Sequence, residues 1–275
     1  MRANGVDRRH WILGAAVVLT ASSARSQVFD HTHSSWTTLL RKHVVKLREG
    51  QSSRVRYAGF KADYASLLAY SASLSGVSES AFKTFARAQQ MAFLINAYNA
   101  FTIELILTGY PGITSIKDLG SFFNNPWKPK WISLLGGMVS LDDIEHGMLR
   151  ERGRFDDPRV HFAVNCASIG CPSLREEAFV AERLEGQLDE QALRFMIDRT
   201  RNRYDAVSGR LEVSKIFDWY GDDFKLGQRG IASLPAFMSR YADSLADAQV
   251  DRDRIRSLRA EITFLAYDWR LNDIT

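Results

Sequence analysis

The chain has 275 residues, 45% of them hydrophobic and 25% charged, with a formal net charge of +4; that is enough apolar material for a sizeable core. Four arginines and one aspartate fall within residues 1–26, so the remainder carries a net charge near +1. The basic balance therefore belongs to the leader and not to a clustered nucleic-acid-binding face, and nucleic-acid partners are excluded on this ground.

Arg2, Arg8 and Arg9 precede an apolar run, Trp11 to Ala21, that is too short to cross a bilayer as a helix. Ala24-Arg25-Ser26 then places small side chains at the positions a signal peptidase reads. Residues 1–26 are expected to be a removable signal peptide, cleaved before Gln27, and 27–275 a single periplasmic domain. A buried N-terminal helix is the alternative. Arg8-Arg9-His10-Trp11-Ile12 loosely resembles a twin-arginine signal, but Asp7 stands where Ser or Thr is usual, which favours the ordinary secretory route. No Cys stands near the cleavage point to carry a lipid. After the leader no run of roughly eighteen consecutive apolar residues occurs, so no transmembrane segment is expected.

In chain order, Ser35 to Leu47 has helical spacing, Val55 to Tyr57 reads as a short strand, and Tyr64 to Leu74 as a helix. Ala86 to Tyr110 is the strongest helical segment, its apolar stripe running from Phe93 to Ile106, with Pro111 and Gly112 as stop. Thr114 to Lys130 reads as an ordered loop and Trp131 to Val139 as a hairpin around Gly136-Gly137. Ser140 opens a short helix, capping it through its hydroxyl, with Asp142 and Asp143 favouring the positive end. Val160 to Val164 is expected as a strand entering Asn165-Cys166-Ala167-Ser168-Ile169-Gly170-Cys171-Pro172. Phe179 to Ile197 is a further helix, and Tyr204 to Val207 with Leu211 to Val213 a hairpin. Ile216 to Phe224 and Leu234 to Tyr241 read as helices and Glu261 to Tyr267 as a closing strand. The sum is a helix-rich α+β fold around a small, mainly antiparallel sheet.

Several ordered motifs resemble the family known as domain of unknown function 547. They are Phe93-Leu94-Ile95-Asn96-Ala97-Tyr98-Asn99-Ala100, Ser115-Ile116-Lys117-Asp118, and Ser140-Leu141-Asp142-Asp143-Ile144-Glu145-His146 with Leu149-Arg150. Asp157 to Cys166 with Cys171-Pro172, and Ser214-Lys215-Ile216-Phe217-Asp218-Trp219-Tyr220, complete the set. The resemblance spans about residues 85 to 225 and assigns no catalytic residues, so any site is argued from chemistry.

Cys166, at the end of a strand and among polar residues, is a candidate nucleophile if an imidazole or helix start lowers its pKa. Strand alternation sets His161, Ala163 and Asn165 on one face and Cys166 on the other, so a turn after Asn165 is needed to join His161 to the thiol. His146, from the preceding helix, is the alternative base. Asp142, Asn96, Asn99 or Asp268 could orient it. Two other fates for the cysteine stay open: a disulfide between Cys166 and Cys171, and a buried free thiol. Asn96 and Asn99 are unusual inside a helix and are expected to satisfy loop backbone near Pro111 to Pro126 rather than line a cleft. His31-x-His33 and Glu145-His146 lack metal-site spacing, no phosphate or dinucleotide loop occurs, and Ser214-Lys215 has the wrong geometry for mutual activation. No cofactor and no metal are expected.

Two functions follow. One is a binding or scaffold protein of the cell envelope, whose partner is an unknown envelope protein or small molecule and whose aromatics Phe122, Phe123, Trp127, Trp131, Trp219 and Tyr220 build a core or groove. The other is a cysteine-dependent hydrolase or transferase acting on an amide or ester, with Cys166 as nucleophile, His146 or His161 as base, and Asn165 or Asn99 as oxyanion or orienting group.

Overall fold

The computed structural model describes Met1 and residues 29–47, 50–120 and 125–274. The expected signal peptide, Phe122 and Phe123 lie outside the described residues.

Helix α1 (Ser34–His43) ends where Val44 turns extended, and β1 (Val44–Leu47) pairs antiparallel with β2 (Ser52–Val55). The helix expected to reach Leu47 is therefore shorter, because β-branched Val44 and Val45 suit a pleated strand better than another helical turn. After α2 (Tyr57–Ala62), α3 (Tyr64–Ser75) and α4 (Glu79–Thr84) comes α5 (Arg87–Gly109), around which the rest of this half is packed. By length and mean hydropathy α5 could cross a membrane, a possibility that counting consecutive apolar residues overlooks; 89% of its apolar window is buried inside the fold, as befits a core helix.

The β3 (Ile132–Leu134) and β4 (Gly137–Val139) hairpin turns at Leu135 and Gly136, both at positive φ, the geometry a tight two-residue turn demands. Ser140 and Asp143 then cap each other's backbone N–H, at 3.0 and 2.9 Å. The segment that follows, Asp143–Leu149, winds as a π-helix, with Arg150 N–H reaching the Glu145 carbonyl.

The expected strand at 160–164 is instead α6, one helical turn over Val160–Ala163. Pro158 and the Asp157 side chain, which accepts from Arg159 N–H, start this turn. Helix α7 spans Leu184–Met196, later than expected, because residues before Ala181 run extended across α5. The strands β5 (Arg203–Asp205), β6 (Arg210–Val213) and β7 (Glu261–Phe264) form one sheet, antiparallel between β5 and β6 and parallel between β6 and β7. Between them lie α8 (Ile216–Trp219) and α9 (Leu234–Ser239). The helix-rich α+β class stands, with the strands distributed over three small sheets.

Two apolar clusters result. One gathers around α5; the other joins Phe162, Phe195, Phe217 and Phe237 to the three-stranded sheet. Asn96 and Asn99 are buried in the first. Asn96 accepts from Phe179 N–H and donates to the Phe179 carbonyl, and Asn99 does the same for Asn165 N–H and the Ala163 carbonyl. They do brace loop backbone, but at 163–165 and 179 rather than near Pro111 to Pro126. Asn96→Ala leaves both Phe179 groups dry and unpaired, so urea unfolding should show a loss of about 2–4 kcal/mol.

Candidate functional site

The last residues of the chain decide where Cys166 sits. After β7 they run back along the loop 165–171: Gly170 N–H bonds the Asp268 carbonyl, Ile169 N–H the Arg270 carbonyl, and Asn272 N–H the Ala167 carbonyl. Asn272 also ties β2 to this loop through Val55 N–H and the Tyr57 hydroxyl. Asn165 accepts from Ala167 N–H and donates to the Pro172 carbonyl, which closes the loop on itself, and Ala167 takes a left-handed φ of 63° at the bend. A side chain at Gly170 would meet the Asp268 backbone at 3.0 Å, so only glycine allows the two segments to lie this close.

This bend swings the thiol into a cavity of about 250 Å³ at the seam of the two clusters, shared by Val164 of one and Ile216 of the other. Cys166, His146 and His161 all line it; Asn99 and Asn165 do not, their side-chain groups being used by backbone. The expected oxyanion or orienting role for those two asparagines is thereby corrected. The Cys166–Cys171 disulfide is corrected as well: both are free thiols.

The two sulfurs nevertheless interact. Cys166 N–H bonds the Cys171 sulfur at 3.0 Å, and Cys166 Sγ lies 3.2 Å from Ser168 Oγ and 3.1 Å from the Tyr267 hydroxyl. Hydrogen bonding from the Cys171 thiol, helped by Ser168 and Tyr267, outweighs burial and lowers the Cys166 thiol to about 7. Burial and the neighbouring thiolate push Cys171 upward, so it stays a donor, and Tyr267 is held protonated for the same reasons. One sulfur is thus prepared as a thiolate by neutral donors.

Across the cavity, His161 has only 1% of its side chain exposed. Its Nε2 lies 2.7 Å from Asp223 Oδ2, and Arg150 grips the same carboxylate through Nε at 2.6 Å. Burial tends to raise Asp223, yet His161 and Arg150 hold it well below the usual carboxylate range. Burial also lowers His161, outweighing the pull of Asp223. A neutral ring facing a carboxylate carries its proton on Nε2, which leaves the Nδ1 lone pair available. That Nδ1 is buried and has no hydrogen-bond partner, so it is not bonded to the thiol. The ring stacks on Tyr220 at 4.0 Å, and the Tyr220 hydroxyl donates to Glu145 at 2.7 Å.

His146 sits at the exposed rim, 2.5 Å from Arg150 Nη1 and 3.7 Å from Asp142, too far for the expected orienting hydrogen bond. Asn96 is fully engaged at Phe179, and Asp268 pairs with Arg270. Asp223 and Tyr267 were not singled out from sequence, and Glu145 only as a discounted metal ligand. The π-helix turns Glu145 inward, and only a recognisable insertion in the helix would have flagged it.

Tyr267→Phe removes one donor to the sulfur. The thiol pKa, followed by thiolate absorbance or alkylation against pH, should rise by about one to two units, since a hydrogen bond to a charged group is worth about 1.5–3 kcal/mol and one unit is about 1.36.

No curated protein and no solved structure matches the chain. The motif at Ser214–Tyr220, like Asp223 and Tyr267, lies beyond the part a family model recognises. Residues 82–196, which carry Asn96, Glu145, His161 and Cys166, match the family model described as protein of unknown function, DUF547.

Proposed function

We propose that this is an exported cysteine-dependent acyl hydrolase or transferase, with Cys166 as nucleophile, His161 as general base and Asp223 as its positioning residue. One observation carries the reading. A thiol lowered to about 7 shares a cavity with a neutral, carboxylate-backed imidazole whose second nitrogen has no partner.

The thiolate attacks the carbonyl carbon of an ester or amide; the C–S bond forms, the C–O or C–N bond breaks, and the leaving group departs with a proton taken from solvent water. Water or an acceptor hydroxyl or amine then enters. His161 Nδ1 takes its proton as it attacks the thioester, the C–S bond breaks, and the thiolate returns. Because Cys166 is activated by Cys171, Ser168 and Tyr267, the imidazole is free for the second step. Export is supported by the arginines, the apolar run and the small residues of 1–26.

Full-length mature protein treated with p-nitrophenyl acetate should release nitrophenolate in a burst and carry one acetyl group on Cys166 by intact mass. The burst rate should climb with pH through about 7, following loss of the thiol proton. Cys166→Ser should abolish the burst while leaving the melting temperature near wild type. His161→Ala and Asp223→Asn should acylate but release the acyl group roughly 10²-fold more slowly or worse. An adduct on Cys171 alone, or no pH dependence, would count against the scheme. Cell fractionation should recover the protein in the periplasm with Gln27 as its first residue; retention of 1–26 in the cytoplasm would sink the export reading.

A further inference from the structure

We infer that the cavity selects a substrate bearing a positively charged alkylammonium group near the reacting carbonyl, a statement that rests on the thiol reading above. Among the described residues lining the cavity, no Lys or Arg appears, whereas Asp142 and Glu145 do, beside the Cys166 thiolate. Glu145 is nearly buried and holds only the Tyr220 hydroxyl through Oε1. The Arg150 guanidinium, 4.7 Å from the Tyr220 ring, does not line the cavity and is paired with Asp223, although its charge also acts on Glu145. An anionic substrate would thus enter a field of its own sign, and a cation would be drawn in.

The walls point the same way. Trp127, Trp219, Tyr220, Tyr267 and Trp269 line the cavity, and Trp269 is in ring contact with Trp127, Trp219 and Tyr267 at 6.0, 5.5 and 4.5 Å. Trp219 is 43% exposed, too open for a core residue. Aromatic faces combined with carboxylates are the chemistry that receives ammonium groups. The Lys117 ammonium already sits 3.7 Å over Trp269, which shows that this wall takes such a charge.

Charge-matched thiosulfonates test this on the full mature chain. In each, the Cys166 thiolate attacks the sulfenyl sulfur; an S–S bond forms and methanesulfinate leaves. Rates are taken with the ethyltrimethylammonium, sulfonatoethyl and neutral methyl reagents, each divided by its rate with a free small-molecule thiol. The expected result is a cation-over-anion preference of roughly tenfold or more, as a carboxylate in a partly dry cavity exerts. Glu145→Gln keeps an acceptor for Tyr220 and should reduce that preference to about threefold or less, each charged rate being divided by the same variant's neutral rate so that a change in thiol ionisation cancels. On the unmutated protein, n-butylammonium should protect Cys166 from the neutral reagent where butyrate does not. Equal or anion-favouring rates overturn the inference, as does a preference that persists in both Glu145→Gln and Asp142→Asn; the thiol reading survives either. If the neutral reagent itself fails to modify Cys166 near pH 7, the thiol reading falls first and this one with it.

Discussion

The loop 164–172 is buried between α5 and the returning C-terminal segment, and its backbone groups must be satisfied without water. Two asparagine side chains and a stretch of chain from the far terminus supply the partners. Asn99 fixes the exit of α6, Asn165 closes the bend, and residues 268–272 clamp its outer side. Held on both sides in this way, the left-handed Ala167 stays in place, although such a residue favours other conformations by about 1–2 kcal/mol. The direction of the Cys166 side chain is a consequence of that clamp, and so is its chemistry, because Tyr267 reaches the sulfur only while the C-terminal segment stays docked on Gly170.

The same clamp links parts of the chain that are distant in sequence. The proposed nucleophile comes from residue 166, two of its donors from 168 and 171 and the third from 267; the imidazole comes from 161 and its carboxylate from 223. The matched family segment ends at 196 and so holds the thiol and the imidazole but neither the positioning carboxylate nor the tyrosine donor. Local sequence supplies the reacting atoms, and the three-stranded sheet, with α8 and the turn after it, supplies what tunes them.

Periodicity was enough to read α3, α5, the two hairpins and β7, where one apolar face repeats over several turns or alternates cleanly. It failed at 160–164, since Val-His-Phe-Ala-Val is an apolar run whose length fits a strand or a helical turn equally; Pro158 and Asp157 settle the matter locally. That error mattered, because strand alternation placed His161 and Cys166 on opposite faces, while a turn followed by a bend lets both line one cavity. Cys166, His161 and His146 were legible as residue types that carry chemistry. Asp223 and Glu145 were not, being ordinary acidic residues until the Arg150 grip and the π-helical winding give them a direction. Asn96 and Asn99 were legible as anomalies and as braces, but not the backbone they serve, since a polar residue inside a helix does not say which distant loop it will meet.

The mode of thiol activation has one more implication. An imidazolium beside a thiolate would stabilise the anion by charge, but that pair then stands or falls with a single proton. Here burial disfavours charge on His161, so the thiolate is held by neutral donors: a thiol, a hydroxyl and a phenol. Neutral donors stabilise an anion less than an ion pair does, consistent with a thiol held near neutrality rather than driven far below it. The gain is separation of roles. Loss of the cysteine proton leaves His161 unprotonated, with Nδ1 not committed to another hydrogen bond among the described residues. A less acidic thiol is also the stronger nucleophile once ionised, so moderate activation of Cys166 and a free Nδ1 on His161 belong to one arrangement.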